Sequence, residues 1–208
     1  MPPVVETHTL GPTQTNCYVV RADPAAERTV VIDPGYENFH PQYDVAAILI
    51  THTHYDHIGA VAQLAETTHA PVYVPRGERE VLARADTIYG GFGVDIRPWT
   101  GEAVELAGNE PLDLAGVPFE TASVPGHSPD HLAYYSEPFL FSGDVLFAGS
   151  VGRVDLPGGD WDRLFDSIQY LITRYDPETI VLPGHGPPTT LGAELASNPF
   201  LAELRTPT

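Results

Sequence analysis

Short apolar runs bounded by polar and turn-forming residues recur along the chain. They predict strands near 4–9, 17–21, 29–33, 45–50, 72–74, 117–124, 131–136, 138–142 and 179–182. One stretch has a different period. Trp161, Leu164, Phe165, Ile168, Leu171, Ile172 and Tyr175 fall on one face at helical spacing, predicting a helix over 161–175 with that stripe in the core. Asp160 is its natural N-cap, and Pro177 lies just beyond its end. Shorter helices are expected over 59–67 and near 78–85. Strands and helices alternate, so the pattern alone gives a mixed α/β class.

Composition narrows the setting. A chain of 208 residues with 42 % hydrophobic content suits one domain with a sizeable core. The 21 prolines and 19 glycines are spread along it, with no linker or low-complexity segment. No apolar run approaches a membrane span, and Met1-Pro2-Pro3-Val4-Val5-Glu6 lacks a basic, apolar leader, so a cytoplasmic location is expected. Ten basic against 28 acidic residues give a net charge of −18, which argues against nucleic acid or an anionic membrane as partner. Cys17, the only cysteine, sits in the strand-like run Thr15-Asn16-Cys17-Tyr18-Val19-Val20 and is expected to pack inertly.

The candidate chemistry is concentrated at strand ends. Thr51-His52-Thr53-His54-Tyr55-Asp56-His57 places four metal-capable side chains within six residues, directly after the apolar run Val45-Ala46-Ala47-Ile48-Leu49-Ile50. His52 and His54, two residues apart, point to the same side of an extended segment. Asp56 and His57 then turn toward a second position. Three further ligand types follow apolar runs next to glycine: His127 in Val124-Pro125-Gly126-His127, Asp144 in Phe139-Leu140-Phe141-Ser142-Gly143-Asp144, and His185 in Ile180-Val181-Leu182-Pro183-Gly184-His185. A packed core has no need of such a pattern. The repeated strand, Pro-Gly-His unit suggests a pseudo-symmetric layout.

Through these residues the chain resembles the metallo-β-lactamase superfamily and, within it, the glyoxalase II-like (hydroxyacylglutathione hydrolase-like) group. Val31-Ile32-Asp33-Pro34-Gly35, the segment 149–160 and Asn198-Pro199-Phe200-Leu201 add to the likeness, which spans nearly the whole chain. The resemblance implies an αββα sandwich of two mixed sheets with helices on the outer faces. It implies one domain over 1–208, without the C-terminal helical substrate domain of full-length glyoxalase II. It implies two divalent metal ions (Zn, Fe or Mn), the first held by His52, His54 and His127 and the second by Asp56, His57 and His185, with Asp144 bridging them. Asp56 and Asp144 are then the carboxylates of catalysis. His131 is expected to orient a ligand from behind. Asp33 reads either as a partner for a ligand histidine or as a turn residue in Asp-Pro-Gly. His8, His40 and His69 are expected at the surface.

Two ions about 3.5–4 Å apart can share a water and lower its pKa, giving a bridging hydroxide as nucleophile. The chain shows no Gly-x-Ser-x-Gly elbow that would indicate a protein nucleophile. No residue outside the ligand set announces itself as a general acid, although Tyr55 could supply a proton. A thiolate leaves unassisted where an amine does not, so a small-molecule thioester is the expected substrate. Only about 23 residues follow His185, with Arg205 their single basic residue, so the resemblance does not by itself imply glutathione as the thiol carrier. Arg153 stands where the family places a basic substrate contact; pairing with Asp155 or Asp160 is the competing role. The alternatives are a mononuclear-iron persulfide dioxygenase and a lactonase or β-lactamase-type hydrolase.

Overall fold

Residues 1–37, 39–91 and 93–205 are described in a computed structural model. In chain order the strands are β1 (Val4–Leu10), β2 (Thr15–Arg21), β3 (Arg28–Ile32), β4 (Asp44–Leu49), β5 (Val72–Pro75), β6 (Ala103–Leu106), β7 (Pro111–Leu114), β8 (Val117–Ser123), β9 (Leu132–Ser136), β10 (Phe139–Gly143), β11 (Leu146–Phe147), β12 (Ser150–Val151), β13 (Ile180–Pro183) and β14 (Thr189–Thr190). The helices are α1 (Tyr55–Ile58), α2 (Val61–Thr68), α3 (Arg79–Ala83), α4 (Ala85–Gly90), α5 (Trp161–Arg174) and α6 (Leu191–Ser197), followed by a 3₁₀ segment, Pro199–Arg205. One sheet has the order β1-β2-β3-β4-β5-β6 and the other β14-β13-β10-β9-β8-β7; β11 and β12 form a separate small ribbon. Both large sheets are mixed: β3 to β6 run parallel and β1 to β3 antiparallel, whereas in the second sheet only β10 and β13 are parallel neighbours.

The central strands read as continuous apolar runs because both of their faces are buried. Tyr18, Val20, Val30, Ile32, Ala47 and Leu49 pack inward against Phe119, Leu132, Tyr134, Phe141 and Leu182 of the facing sheet. Their alternates Cys17, Val19, Val31, Ile48 and Ile50 pack outward with Val61, Leu64 and Leu82 of the first helical layer. On the far side, Ala133, Leu140 and Val181 pack with Leu164, Ile168 and Leu171 of α5 and Leu191 of α6. The alternation of period two along each strand thus produces an αββα sandwich.

Cys17 is fully buried in β2, and burial, with the nearby Asp33 charge, pushes its thiol well above the ordinary range. It is expected to resist a chromogenic disulfide reagent in the folded protein and to react with one equivalent in denaturant. Rapid labelling under native conditions would show that β2 opens.

The helices differ from the sequence reading where backbone groups find partners elsewhere. The helix expected over 59–67 forms as α2 but begins only at Val61, after the separate turn α1, because Ala60 N–H donates to Pro34 O (2.8 Å) and Gly59 lies against Gly35, whose carbonyl a Cβ would meet at 2.5 Å. The expected helix near 78–85 breaks at Arg84 and resumes as α4. Asp160 caps α5, accepting from Arg163 N–H (3.0 Å), but Trp161 at the head of the expected core stripe is 40 % exposed. The unforeseen strands are short: β6, β7 and β14 lie at sheet edges and β11 and β12 form the separate ribbon, where little apolar pattern is needed. Both strand, Pro-Gly-His units leave the same sheet, from β8 and β13, so the repeated unit is not divided between the two sheets. No helix among the described residues is long and apolar enough to cross a membrane.

Candidate metal centre

One end of the sandwich collects the C-terminal ends of β3 and β4 from the first sheet and of β8, β10 and β13 from the second. The two strand pairings that relate β8 to β10 are both antiparallel, so β8, β10 and β13 all point the same way. His52 to His57 follow β4, His127 follows β8, Asp144 follows β10 and His185 follows β13. The start of β2 holds the last of these loops in place. Asn16 N–H donates to Gly184 O (2.7 Å), Asn16 Nδ2 to Pro183 O and Gly186 O (3.0 and 2.9 Å), and the Tyr18 hydroxyl to Pro183 O (2.6 Å).

The donor atoms form three overlapping groups: His52 with His54 and His127, His52 with His57 and Asp144, and Asp56 with His57 and His185, each group's atoms within 4.8 Å of one another. Asp144 links them. Its Oδ1 lies 3.4 Å from His57 Nε2, and its Oδ2 lies 3.4 Å from His185 Nε2 and 3.5 Å from His127 Nε2. Asp56 Oδ2 lies 3.3 Å from His185 Nε2 and 4.0 Å from His57 Nε2, and accepts from the Thr15 hydroxyl (2.9 Å).

Hydrogen bonds behind the cluster determine which nitrogen of each imidazole faces it. The Thr51 backbone N–H and hydroxyl both donate to Asp33 (2.8 and 2.7 Å). With its proton committed, the Thr51 oxygen accepts from His52 Nδ1 (3.1 Å), and His52 Nε2 is left as a bare lone pair. That atom is buried and makes no hydrogen bond among the described residues; His57 Nε2 and Asp144 Oδ1 make none either, and face each other at 3.4 Å. His57 Nδ1 donates to Asp33 Oδ2 (3.0 Å), and His127 Nδ1 to the Arg153 carbonyl (2.8 Å). His127 Nε2 then faces His54 Nδ1 at 2.8 Å, a separation that needs a proton or a cation between the lone pairs. Buried lone pairs converging without donors are what a cation site requires, so the donor set fits two cations sharing Asp144.

The electrostatics differ between the two halves. Burial holds His52 well below the ordinary histidine range, with its histidine neighbours adding to the effect, and takes His54 down to about 4. Burial also lowers His127. These three are neutral donors, ready to bind. In the other half, burial would lower His57 and His185, but the Asp144 and Asp33 carboxylates lift His57 well up, and Asp144 and Asp56 take His185 to about 9. Burial raises the carboxyls of Asp56 and Asp144, yet the facing histidines override it, leaving Asp56 at about 2 and Asp144 well below its usual range. Here a cation takes the place of the histidine protons.

The family model of the metallo-β-lactamase superfamily matches residues 10–185. The chain belongs to this superfamily. It is 35 % identical to the probable metallo-hydrolase YqgX of Bacillus subtilis over 203 residues, covering 92 % of this chain and 94 % of that protein. It is 31 % identical to the hydroxyacylglutathione hydrolase GloC of Haemophilus influenzae, with 90 % and 93 % covered. Among solved structures, the B3 metallo-β-lactamase BLEG-1 superimposes with a TM-score of 0.86 at 38 % identity, over 96 % of this chain and all of that one. TTHA1623 in a di-iron-bound form gives 0.83 at 41 % identity, over 95 % of this chain and all of that one.

Within this superfamily fold, His52, His54, Asp56, His57, His127, Asp144 and His185 stand together, with Asp33 directly behind His57. His131 stacks on His52 (ring centroids 4.7 Å apart), and its Nε2 accepts from the Asp144 backbone N–H (3.2 Å), so it holds Asp144 by its main chain. Arg153 stands apart. Its guanidinium forks onto Asp155 with two 2.7 Å contacts, its side chain is 61 % exposed, and only its carbonyl reaches the cluster, through His127. Tyr55 lies exposed with its ring against Tyr89. Among the remaining histidines, His40 and His69 are exposed, whereas His8 is half-buried, edge-on to Phe39.

Several supporting residues are not legible in the sequence. Thr15 and Asn16 carry a weak signal, as polar residues opening an apolar strand. Glu78 carries none: in Arg76-Gly77-Glu78-Arg79-Glu80 it reads as part of a solvated charged run, yet it is only 5 % exposed and bonded to both histidine loops of the first half. Gly184 is marked only by the Pro-Gly punctuation, although a Cβ there would overlap Asp144 Oδ1 and stand 2.7 Å from His57 Cε1.

Proposed function

We propose that the chain is a binuclear-metal hydrolase of thioesters, of the hydroxyacylglutathione hydrolase-like kind. The observation that carries this reading is the convergence of the buried His52 and His57 Nε2 atoms, which make no hydrogen bond, on the Asp144 carboxylate between two donor groups. His52, His54 and His127 would hold one ion, Asp56, His57 and His185 the other, and Asp144 both. Such a pair would acidify a water molecule and polarise the substrate carbonyl. The chain's own residues orient the site. Asp33, Thr51 and the Arg153 carbonyl fix the imidazoles, and Thr15 holds the Asp56 carboxylate against His185. The likeness to GloC supports the same substrate class.

A second reading, β-lactam hydrolysis, is favoured by the 38 % identity to BLEG-1 across nearly the whole chain. Metal analysis of protein purified without added metal, followed by a substrate panel, tests both. About two ions of zinc, iron or manganese per chain and turnover of a hydroxyacyl-glutathione thioester are expected. Preference for a β-lactam would favour the second reading. One iron with oxygen uptake on a persulfide would overturn both.

Arg153 is proposed as a contact for an anionic substrate that displaces Asp155. Because only its carbonyl supports His127, Arg153→Ala should leave metal content intact while raising KM for an anionic thioester roughly 10-fold, the scale of one charged contact. Unchanged kinetics would remove Arg153 from the site.

A further inference from the structure

The cluster is braced from outside by a segment that supplies no ligand. Thr53, the residue between His52 and His54, has all three of its polar groups tied to the stretch that carries α3 and α4. Its N–H and hydroxyl both donate to Glu78 Oε2 (2.7 Å each), and its carbonyl accepts from the Tyr89 hydroxyl (2.6 Å). The other Glu78 oxygen accepts from the Ser128 hydroxyl (3.0 Å), next to His127. One buried carboxylate therefore joins the two loops that bring together His52, His54 and His127. In the described structure Glu78 makes no such bond to Asp56 or His57 themselves, nor to the loops of Asp144 and His185.

We propose that Glu78 is a positioning residue that sets the affinity of the His52, His54 and His127 site while leaving the Asp56, His57 and His185 site unaffected. This rests on the reading of the cluster as a two-cation centre and goes beyond it by assigning control of one site to a residue outside the ligand set.

The chemistry of the contacts suits a carboxylate best. All three groups that meet Glu78 are donors, and a carboxylate accepts at both oxygens. An amide of the same shape keeps one acceptor oxygen for Thr53 and turns its NH₂ toward Ser128, whose hydroxyl must then accept instead of donate, so both loops are held by weaker, uncharged bonds. The bond to Thr53 fixes the backbone between two ligands on the same side of an extended segment, and the bond to Ser128 fixes the start of the third ligand's turn. Partners behind a ligand typically change metal affinity 10–100-fold when removed.

The test is a Zn²⁺ titration of metal-stripped protein against a chromophoric chelator, with wild type, Glu78→Gln and Ser128→Ala in parallel. Circular dichroism of each metal-free protein checks the fold. Wild type is expected to bind two ions. Glu78→Gln should bind one ion with wild-type affinity and the other 10–100-fold more weakly, and Ser128→Ala, which spares both Thr53 bonds, should show a smaller loss in the same site. A purely structural role predicts equal loss at both sites, or a lowered melting temperature with unchanged affinities; either result overturns the proposal. If Glu78→Gln fails to fold, Ser128→Ala decides: selective weakening supports the proposal and unchanged affinities overturn it. Wild type that binds no zinc would instead refute the two-cation reading, an outcome distinct from two tight sites in all three proteins.

Discussion

Asp144→Ala is expected to lose both metal ions and the activity that depends on them. The carboxylate is 8 % exposed and stands 3.4–3.5 Å from histidines of both halves: His57 through Oδ1, His185 and His127 through Oδ2. Among the described residues, no other carboxylate makes ion-pair contacts with all three rings; Asp56 reaches only His57 and His185. Removing a supporting partner costs roughly 10–100-fold in affinity or activity, so removing the shared ligand should exceed about 100-fold. The backbone that carries it is held independently: Asp144 N–H donates to His131 Nε2, and Gly152 packs against the Asp144 carbonyl. The variant should therefore fold. Its stability should stop responding to metal. A site held at about 1,000 times its dissociation constant contributes roughly 4 kcal/mol to the folded state, so wild type should melt well below its normal temperature once a chelator is added. Asp144→Ala should melt at the same temperature with and without chelator. Metal analysis and a melting curve in both conditions check this, and a variant with two ions and full activity would end the assignment of Asp144 as the shared ligand.

What the sequence made readable follows from how far each signal depends on local pattern. The β2, β3, β4, β9 and β10 strands are visible because both sheet faces are buried, which forces uninterrupted apolar runs such as Val30-Val31-Ile32 and Val45 to Ile50. The ligands are visible because each stands where such a run ends, beside glycine or within the His-x-His-x-Asp-His cluster. Edge strands are different. β7 begins with Pro111, and β6 leaves Val104 and Glu105 exposed, so neither has the apolar spacing that marks a strand. The supporting partners fail for another reason. Glu78 reaches Thr53 across 25 residues and Ser128 across 50, and nothing near it in the chain distinguishes it from its exposed neighbours Arg79 and Glu80. Asp33 was legible only in part: its place after β3 suggested a partner for a histidine, while Asp-Pro-Gly suggested a turn. It serves both, at φ +51° with its carboxylate shared between Thr51 and His57.

Gly184→Ala tests the packing of the centre rather than its ligands, and it is expected to be nearly as damaging as loss of Asp144. The backbone at Gly184 does not require glycine's freedom, since its φ lies outside the left-handed range; the constraint is space. Its N–H donates to Gly143 O (2.8 Å) and its carbonyl accepts from Asn16 N–H (2.7 Å), so the main chain is pinned on both sides and cannot retreat from an added methyl. The methyl would overlap Asp144 Oδ1, stand 2.7 Å from His57 Cε1 and come within 3.2 Å of the Gly143 carbonyl carbon. The carboxylate must then rotate away from His57, and the lone pairs of that half no longer converge. Overpacking of this kind costs about 1–3 kcal/mol of stability, which leaves a folded protein. The second ion should be lost and turnover reduced by more than about 100-fold, on the same scale as loss of a ligand's support. Gly90→Ala is the matched control: it adds the same methyl at an exposed helix end with nothing within 4 Å, and should be neutral or stabilising by less than about 1 kcal/mol. Metal content, melting temperature and thioester turnover of the two variants separate the outcomes. If Gly184→Ala keeps two ions and wild-type turnover, the Asp144 carboxylate is not held against His57 in the working centre.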